Sequence, residues 1–134
     1  MATAINLHKY DVDNIIEFTS DEQYAPGIHK PSSEEKGYYL RTYINKWVFP
    51  WKYTFIPINI NNISLPDDTI GFIQTSGFYE DIIDVKTKIL IYDEECCYLR
   101  VKANGIFPRK IYANENIATL HVLSYRECHL VNSN

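Results

Sequence analysis

Long apolar runs are missing from this chain: nothing in its 134 residues approaches the roughly 20 consecutive apolar residues of a membrane-spanning helix. Met1 to Tyr10 mix polar and charged groups and hold no apolar signal core, so an intracellular protein is expected, in host cytoplasm or nucleus if viral. Basic clusters are missing as well. Thirteen Lys and Arg face seventeen Asp and Glu, for a formal charge of −4, and the cations are scattered. Neither a nucleic-acid partner nor a membrane partner is expected from that pattern. Cysteine is scarce and odd in number. Cys96, Cys97 and Cys128 suit a reducing compartment better than a disulfide framework, and no histidine completes a zinc-ligand spacing with them. We therefore expect no metal and no cofactor. Only five glycines occur, none of them after Gly105.

What is present describes a folded domain. Hydrophobic residues make up 46% of the chain and charged residues 22%, far from the composition of a disordered segment. The length fits one domain, residues 1–134, with no repeat and no linker between two cores. Tyr24 to Glu35 reads as a loop, broken by Pro26-Gly27 and Pro31. Before it, Asn6 to Phe18 reads as a strand plus a turn.

From Gly37 onward the chain reads as short strands divided by turn residues, which points to an all-β barrel or sandwich. Strands are expected at Tyr53–Ile63, Thr69–Gln74, Lys86–Tyr92, Tyr98–Ala103, Arg109–Tyr112 and Ala118–Tyr125. In the first of these, Ile56, Ile58 and Ile60 alternate with Phe55, Pro57 and Asn59, and Pro57 marks an edge or a bulge. Leu65 to Asp68 and Ser76-Gly77 read as turns. Thr75 to Ile83 is the only candidate helix.

Several short motifs, in order, give this pattern a family likeness. Gly37-Tyr38-Tyr39-Leu40 resembles the Gly-Tyr-Asp-Leu that opens the barrel of trimeric dUTPases, and Gln74-Thr75-Ser76-Gly77 resembles their Pro-Arg-Ser-Gly. Ile91 to Cys96 resembles the third motif, and Asn114 to Leu120 resembles Gly-Asp-Arg-Ile-Ala-Gln-Leu. Asn at position 114 is a physically sensible substitute for Gly, because Asn tolerates positive φ. The likeness spans Gly37 to about Leu123 and implies a dUTPase-like β-barrel or jelly roll of short strands, assembling as a homotrimer.

The same resemblance implies a degenerate pocket. The carboxylate that helps hold magnesium falls at Tyr39, the phosphate-binding Arg at Thr75 and the fourth-motif Gln at Thr119. The sugar-packing Tyr falls at Cys96. Ser76 and Asp93 match, although a strand-ending Ser-Gly turn accounts better for the first and an acidic turn equally well for the second. The Gly-rich C-terminal arm has no counterpart in Ser124 to Asn134. A phenol cannot replace a hard anionic ligand, nor a hydroxyl a charged planar fork, so the expected catalytic set is empty.

The expected function is then a non-catalytic, protein-binding or regulatory module, of the kind found among adenoviral early proteins and some herpesviral proteins with this scaffold. The Ile, Asn and Lys usage is compatible with an AT-rich viral genome. The C-terminal Val131-Asn132-Ser133-Asn134 lacks the terminal apolar residue with which the adenoviral relatives bind PDZ domains. Tyr43, Trp47 and Trp51, in the aromatic segment Tyr38 to Phe55, are the candidate contacts for a host or viral protein. Two alternatives stand beside it: a divergent magnesium-dependent dUTP hydrolase using Asp93 with Glu94, Glu95 or Asp81, and a structural component of viral assembly.

Overall fold

The computed structural model describes residues 6–30, 37–86, 89–91 and 98–124, and among them every regular element is a β-strand. A five-stranded antiparallel sheet runs in the order β10 (Ile89–Ile91), β8 (Thr69–Thr75), β13 (Asn116–Ser124), β4 (Tyr38–Arg41), β3 (Ile28–His29). A second sheet is β6 (Thr54–Pro57), β11 (Tyr98–Ala103), β9 (Ile83–Val85). A third is β1 (Leu7–Val12), β2 (Ile16–Asp21), β7 (Asn62–Ser64), and β12 (Arg109–Ile111) pairs with β5 (Lys46–Val48). Neighbours in space are mostly distant in sequence, as in a jelly roll rather than a meander.

Period-two patterning builds this core. Along β11, Leu99, Val101 and Ala103 are buried while Tyr98 and Arg100 face outward. Along β13, Ala118 and Leu120 turn inward, meeting Leu40 and Tyr38 of β4 and Thr75 and Ile73 of β8 in register. Ile16, Ile56, Ile83 and Ile111 reach the same interior from the other sheets, each at most 1% exposed. Each such side chain contributes about 1.5–3 kcal/mol by leaving water.

Turn chemistry sets where strands stop. Asp13 and Asn14 both hold positive φ (54° and 56°), and the Ile15 amide donates to the Val12 carbonyl at 3.0 Å, which joins β1 to β2 through a type I′ turn. The stretch Asn6 to Phe18 is thus a strand, a turn and the start of a second strand. Asn114 sits at φ 65°, the conformation its residue type was expected to tolerate. Asp68 follows suit at φ 59°, with the Thr69 hydroxyl donating to the Pro66 carbonyl at 2.6 Å.

Several expected elements are redrawn. Tyr53–Ile63 is not one strand: β6 ends at Pro57 and β7 begins at Asn62, because Ile58, Asn59 and Ile60 are all buried and the in-out alternation lapses. Pro57 does lie on an edge strand, β6. The loop Tyr24 to Glu35 contains β3, and its residues 31–35 lie outside the described set. Thr75 to Ile83 is not a helix. β8 runs through Thr75, the amides of Tyr79 and Ile82 donate to the carbonyls of Ser76 and Tyr79 as successive turns, and β9 starts at Ile83. Of the strand expected over Lys86–Tyr92, β10 covers Ile89–Ile91, Lys86 lies just past β9, and residues 87, 88 and 92 lie outside the described set. Gly27 lets two segments touch: a Cβ there would lie 2.4 Å from Ile58 Cγ2 and 2.9 Å from the Asn59 backbone nitrogen.

Candidate functional site

The described pocket positions assigned from the sequence lie on, or just past, the three central strands of the large sheet. Tyr39 on β4, Thr119 on β13 and Gln74 on β8 are directly in register, forming one row across the face opposite the core. Ser76, just past β8, is 6% exposed, its amide donates to the Ile117 carbonyl at 3.1 Å, and its hydroxyl lies 3.4 Å from Thr119 Oγ1. Tyr39, Ser76 and Thr119 are thereby brought together. Thr75, in register with the buried Ala118, alternates to the other side of β8. There it lines a cleft of about 800 Å³ with Tyr53, Glu80, Asp84, Lys102 and Asn104. Asp93 and Cys96 lie outside the described residues, as do Glu94, Glu95, Cys97 and Cys128; Asp81 is exposed on the turn before β9.

Gly37 explains how the row packs so closely. Its φ is 88°, and a Cβ there would come within 2.8 Å of Thr119 Cγ2 and 3.1 Å of His121 Nδ1. Any side chain at this position would be strained by the positive φ and would have to push the Thr119 and His121 side chains aside.

The row has basic neighbours that sequence reading missed. His29 is in register with Tyr39, and His121 follows Thr119 by two residues, with Nε2 3.1 Å from Gln74 Oε1. Burial lowers the pKa of His121; burial and then the nearby Arg41 charge lower that of His29. Arg41 is itself depressed by burial, and its Nε is buried without a hydrogen-bond partner in the structure. At neutral pH this face therefore offers hydroxyls, an amide, neutral imidazoles and the Arg41 guanidinium. It can hydrogen-bond a ligand, but among the described residues no group of three or more His, Cys, Asp or Glu could hold a metal ion. The signal for His121 was available: on a strand, residue i+2 shares the face of residue i.

The expected partner-binding aromatics go to different places. Tyr43 is half-buried and stacks on Tyr24 at 4.4 Å, and Trp51 is 65% exposed and tilts against Phe49 at 5.2 Å. Trp47 is 53% exposed and borders a groove of about 390 Å³ with Phe78, Ile82, Pro108 and Tyr112. Phe78 and Tyr112 are also exposed, at 70% and 51%. Lys110 Nζ sits 5.8 Å from the Trp47 ring centre and 5.4 Å from that of Tyr112, and Arg109 adds a second cation to the rim.

Tyr79, only 1% exposed, forms part of this groove's wall. Its hydroxyl donates to Glu115 Oε1 at 2.6 Å, and burial first, then that bond, pushes the phenol up to about 12. Because the folded value lies above the ordinary 10.0, the associated stability is fully present below pH 10 and is lost as pH climbs towards 12. Melting curves across that window should show a fall that Tyr79→Phe flattens, while the same variant lowers stability at pH 7 by about 1–2 kcal/mol through the lost bond to a carboxylate.

No family model and no curated protein sequence matches the chain. Solved structures do. The native dUTPase of EIAV superposes with a TM-score of 0.65 at 17% identity, over 83% of this chain and 89% of that one. Staphylococcus bacteriophage 80alpha dUTPase gives 0.69 at 13%, over 83% and 90%. A mutant dUTPase from phage phi11 of S. aureus, described with a structural Mg(II) ion, gives 0.63 at 10%, over 89% and 90%. At such identities the likeness establishes architecture, and the chain has the dUTPase-like jelly-roll fold.

Proposed function

We propose that this chain is a viral, non-catalytic protein-binding module on a dUTPase-like scaffold, working as a homotrimer. The observation that carries the non-catalytic reading is the row Tyr39–Thr119–Gln74 with Ser76. At the address where a dUTPase gathers an anion for magnesium and a cation for phosphate, the row itself supplies neutral groups, with Arg41 as its charged neighbour, and Thr75 points to the other side of its strand. The viral part rests on composition and on the sources of the matched folds, EIAV and two phages. The trimer rests on the resemblance, and sedimentation should report about three times the 15.7 kDa chain mass; a lone stable monomer contradicts it.

The partner surface is the Trp47 groove. Exposed Trp and Tyr are the residue types that dominate interface energetics, and Arg109 and Lys110 on the rim favour an extended segment carrying an acidic residue between apolar ones. A displayed-peptide selection on the purified protein should enrich such acidic-apolar sequences. Trp47→Ala should weaken the selected peptides about 30-fold or more with the melting temperature unchanged, and Lys110→Glu should turn the preference against acidic residues. Selected peptides that ignore both substitutions would remove the groove from the account.

A further inference from the structure

The sheet β6–β11–β9 buries one face through Ile56, Leu99, Val101 and Val85, so alternate residues must point outward. That outer face gathers Phe55, Tyr98, Arg100, Lys102 and Asp84, with Tyr53 just before β6 and Lys86 just after β9. Arg100 is opposite Phe55 and Lys102 opposite Asp84. The cations converge on one ring. The guanidinium of Arg100 and the ammonium groups of Lys102 and Lys86 lie 5.1, 5.5 and 5.8 Å from the centre of Tyr53, and Arg100 is also 6.0 Å from that of Phe55.

Arg100 and Lys102 on β11 and Lys86 just after β9 bring three cations to this face, with Asp84 on β9 and Glu80 in the adjoining cleft as the described acids, in a chain whose net charge is −4. Cations gathered on one face draw a polyanion to it. The aromatics decide which polyanion. Tyr53 and Phe55 are two residues apart along the chain, a spacing of about 7 Å in extended backbone. Tyr98 continues the row with its ring centre 6.1 Å from that of Phe55, and both are more than half exposed. A purely acidic segment would use the cations and leave the rings idle, whereas a single-stranded nucleic acid uses both. Alternating rings and cations on an open sheet suit unpaired bases that stack and phosphates that pair.

We infer that the outer face of β6–β11–β9 binds single-stranded nucleic acid, RNA or DNA. Sequence reading could not see this, because Lys86 and Arg100 are far apart in the chain and are joined only by sheet pairing, in which the Lys86 amide donates to the Arg100 carbonyl at 2.7 Å. The site is separate from the Trp47 groove and does not depend on it.

Fluorescence anisotropy with labelled oligothymidylate and oligouridylate tests the inference and tells DNA from RNA. The full chain should bind at low salt and weaken as salt rises. Phe55→Ala and Tyr98→Ala, both at exposed positions, should each weaken binding about tenfold, the scale of one lost base stack. Arg100→Gln should lower the log–log salt slope by about 0.7. Lys9→Gln, which removes an exposed cation from β1, should change little. Thermal melts confirm that each variant is folded. Absence of binding at low salt overturns the inference. So does binding that the aromatic substitutions leave intact and that polyglutamate displaces equally well, which would make this face a surface for acidic protein segments.

Discussion

Given magnesium and dUTP, the purified chain is expected to release pyrophosphate at least about 10⁴-fold more slowly than an intact dUTPase. Hydrolysis at a phosphate needs a held metal, cationic donors and a positioned water, and loss of one such preorganised group commonly costs about 10²–10³ in rate. The motif positions for a metal-binding carboxylate, a phosphate-binding Arg and a Gln are Tyr39, Thr75 and Thr119. The losses do not multiply cleanly, which is why the expected deficit is set below their product. Tyr39→Asp alone should restore nothing, because Thr75 and Thr119 would still lack charge and reach. A coupled pyrophosphate assay across the deoxynucleotides reads this directly. Turnover abolished by Asp93→Asn would establish the hydrolase alternative instead.

Asn59→Ala is expected to destabilise the fold by about 3–4 kcal/mol, a fall of roughly 10–20 °C in Tm. Asn59 is 6% exposed, its Oδ1 accepts from the Asp21 amide at 3.0 Å, and its Nδ2 faces the carbonyls of Asp21, Tyr24 and Ala25 at 2.9–3.2 Å. One side chain thus ties the β6–β7 connection to the end of β2 and the loop after it. Truncation leaves part-buried backbone groups without these partners and empties a buried site, so the cost exceeds that of one bond. Asn59→Asp should be at least as harmful, since it sets a carboxylate against three carbonyl oxygens. The neighbouring exposed Asn62→Ala should stay within about 0.5 kcal/mol. Chemical denaturation of the three variants makes the comparison.

These residues also mark how far the sequence could be read. Strands with clean alternation, such as β11, are bounded as the pattern predicts, because one buried face leaves a period-two trace. Tyr53–Ile63 carried the same trace and misled, since Ile58 and Ile60 are buried in a connection where Asn59 supplies the hydrogen bonds a ladder would have made. Ser76-Gly77 announced a turn correctly, while the helix after it gave way to successive turns leading straight into β9.

The candidate site divides similarly. Tyr39, Ser76 and Thr119 were found together through short motifs, and the fold sets Tyr39 and Ser76 on either side of Thr119. His29 and Arg41 were invisible because β3 and the role of β4 as its partner carry no sequence signal. Trp47 stood out as an aromatic, but the groove around it needs Phe78, Pro108 and Tyr112 from separate segments, and only the folded chain places them side by side.

The central claim, that this pocket no longer accepts a metal-bound triphosphate, is tested most directly by titrating a non-hydrolysable dUTP analogue and magnesium into the protein in a calorimeter. The account predicts no saturable binding, with any Kd weaker than about 1 mM. Stoichiometric binding that depends on magnesium and disappears in Asp93→Asn would contradict it.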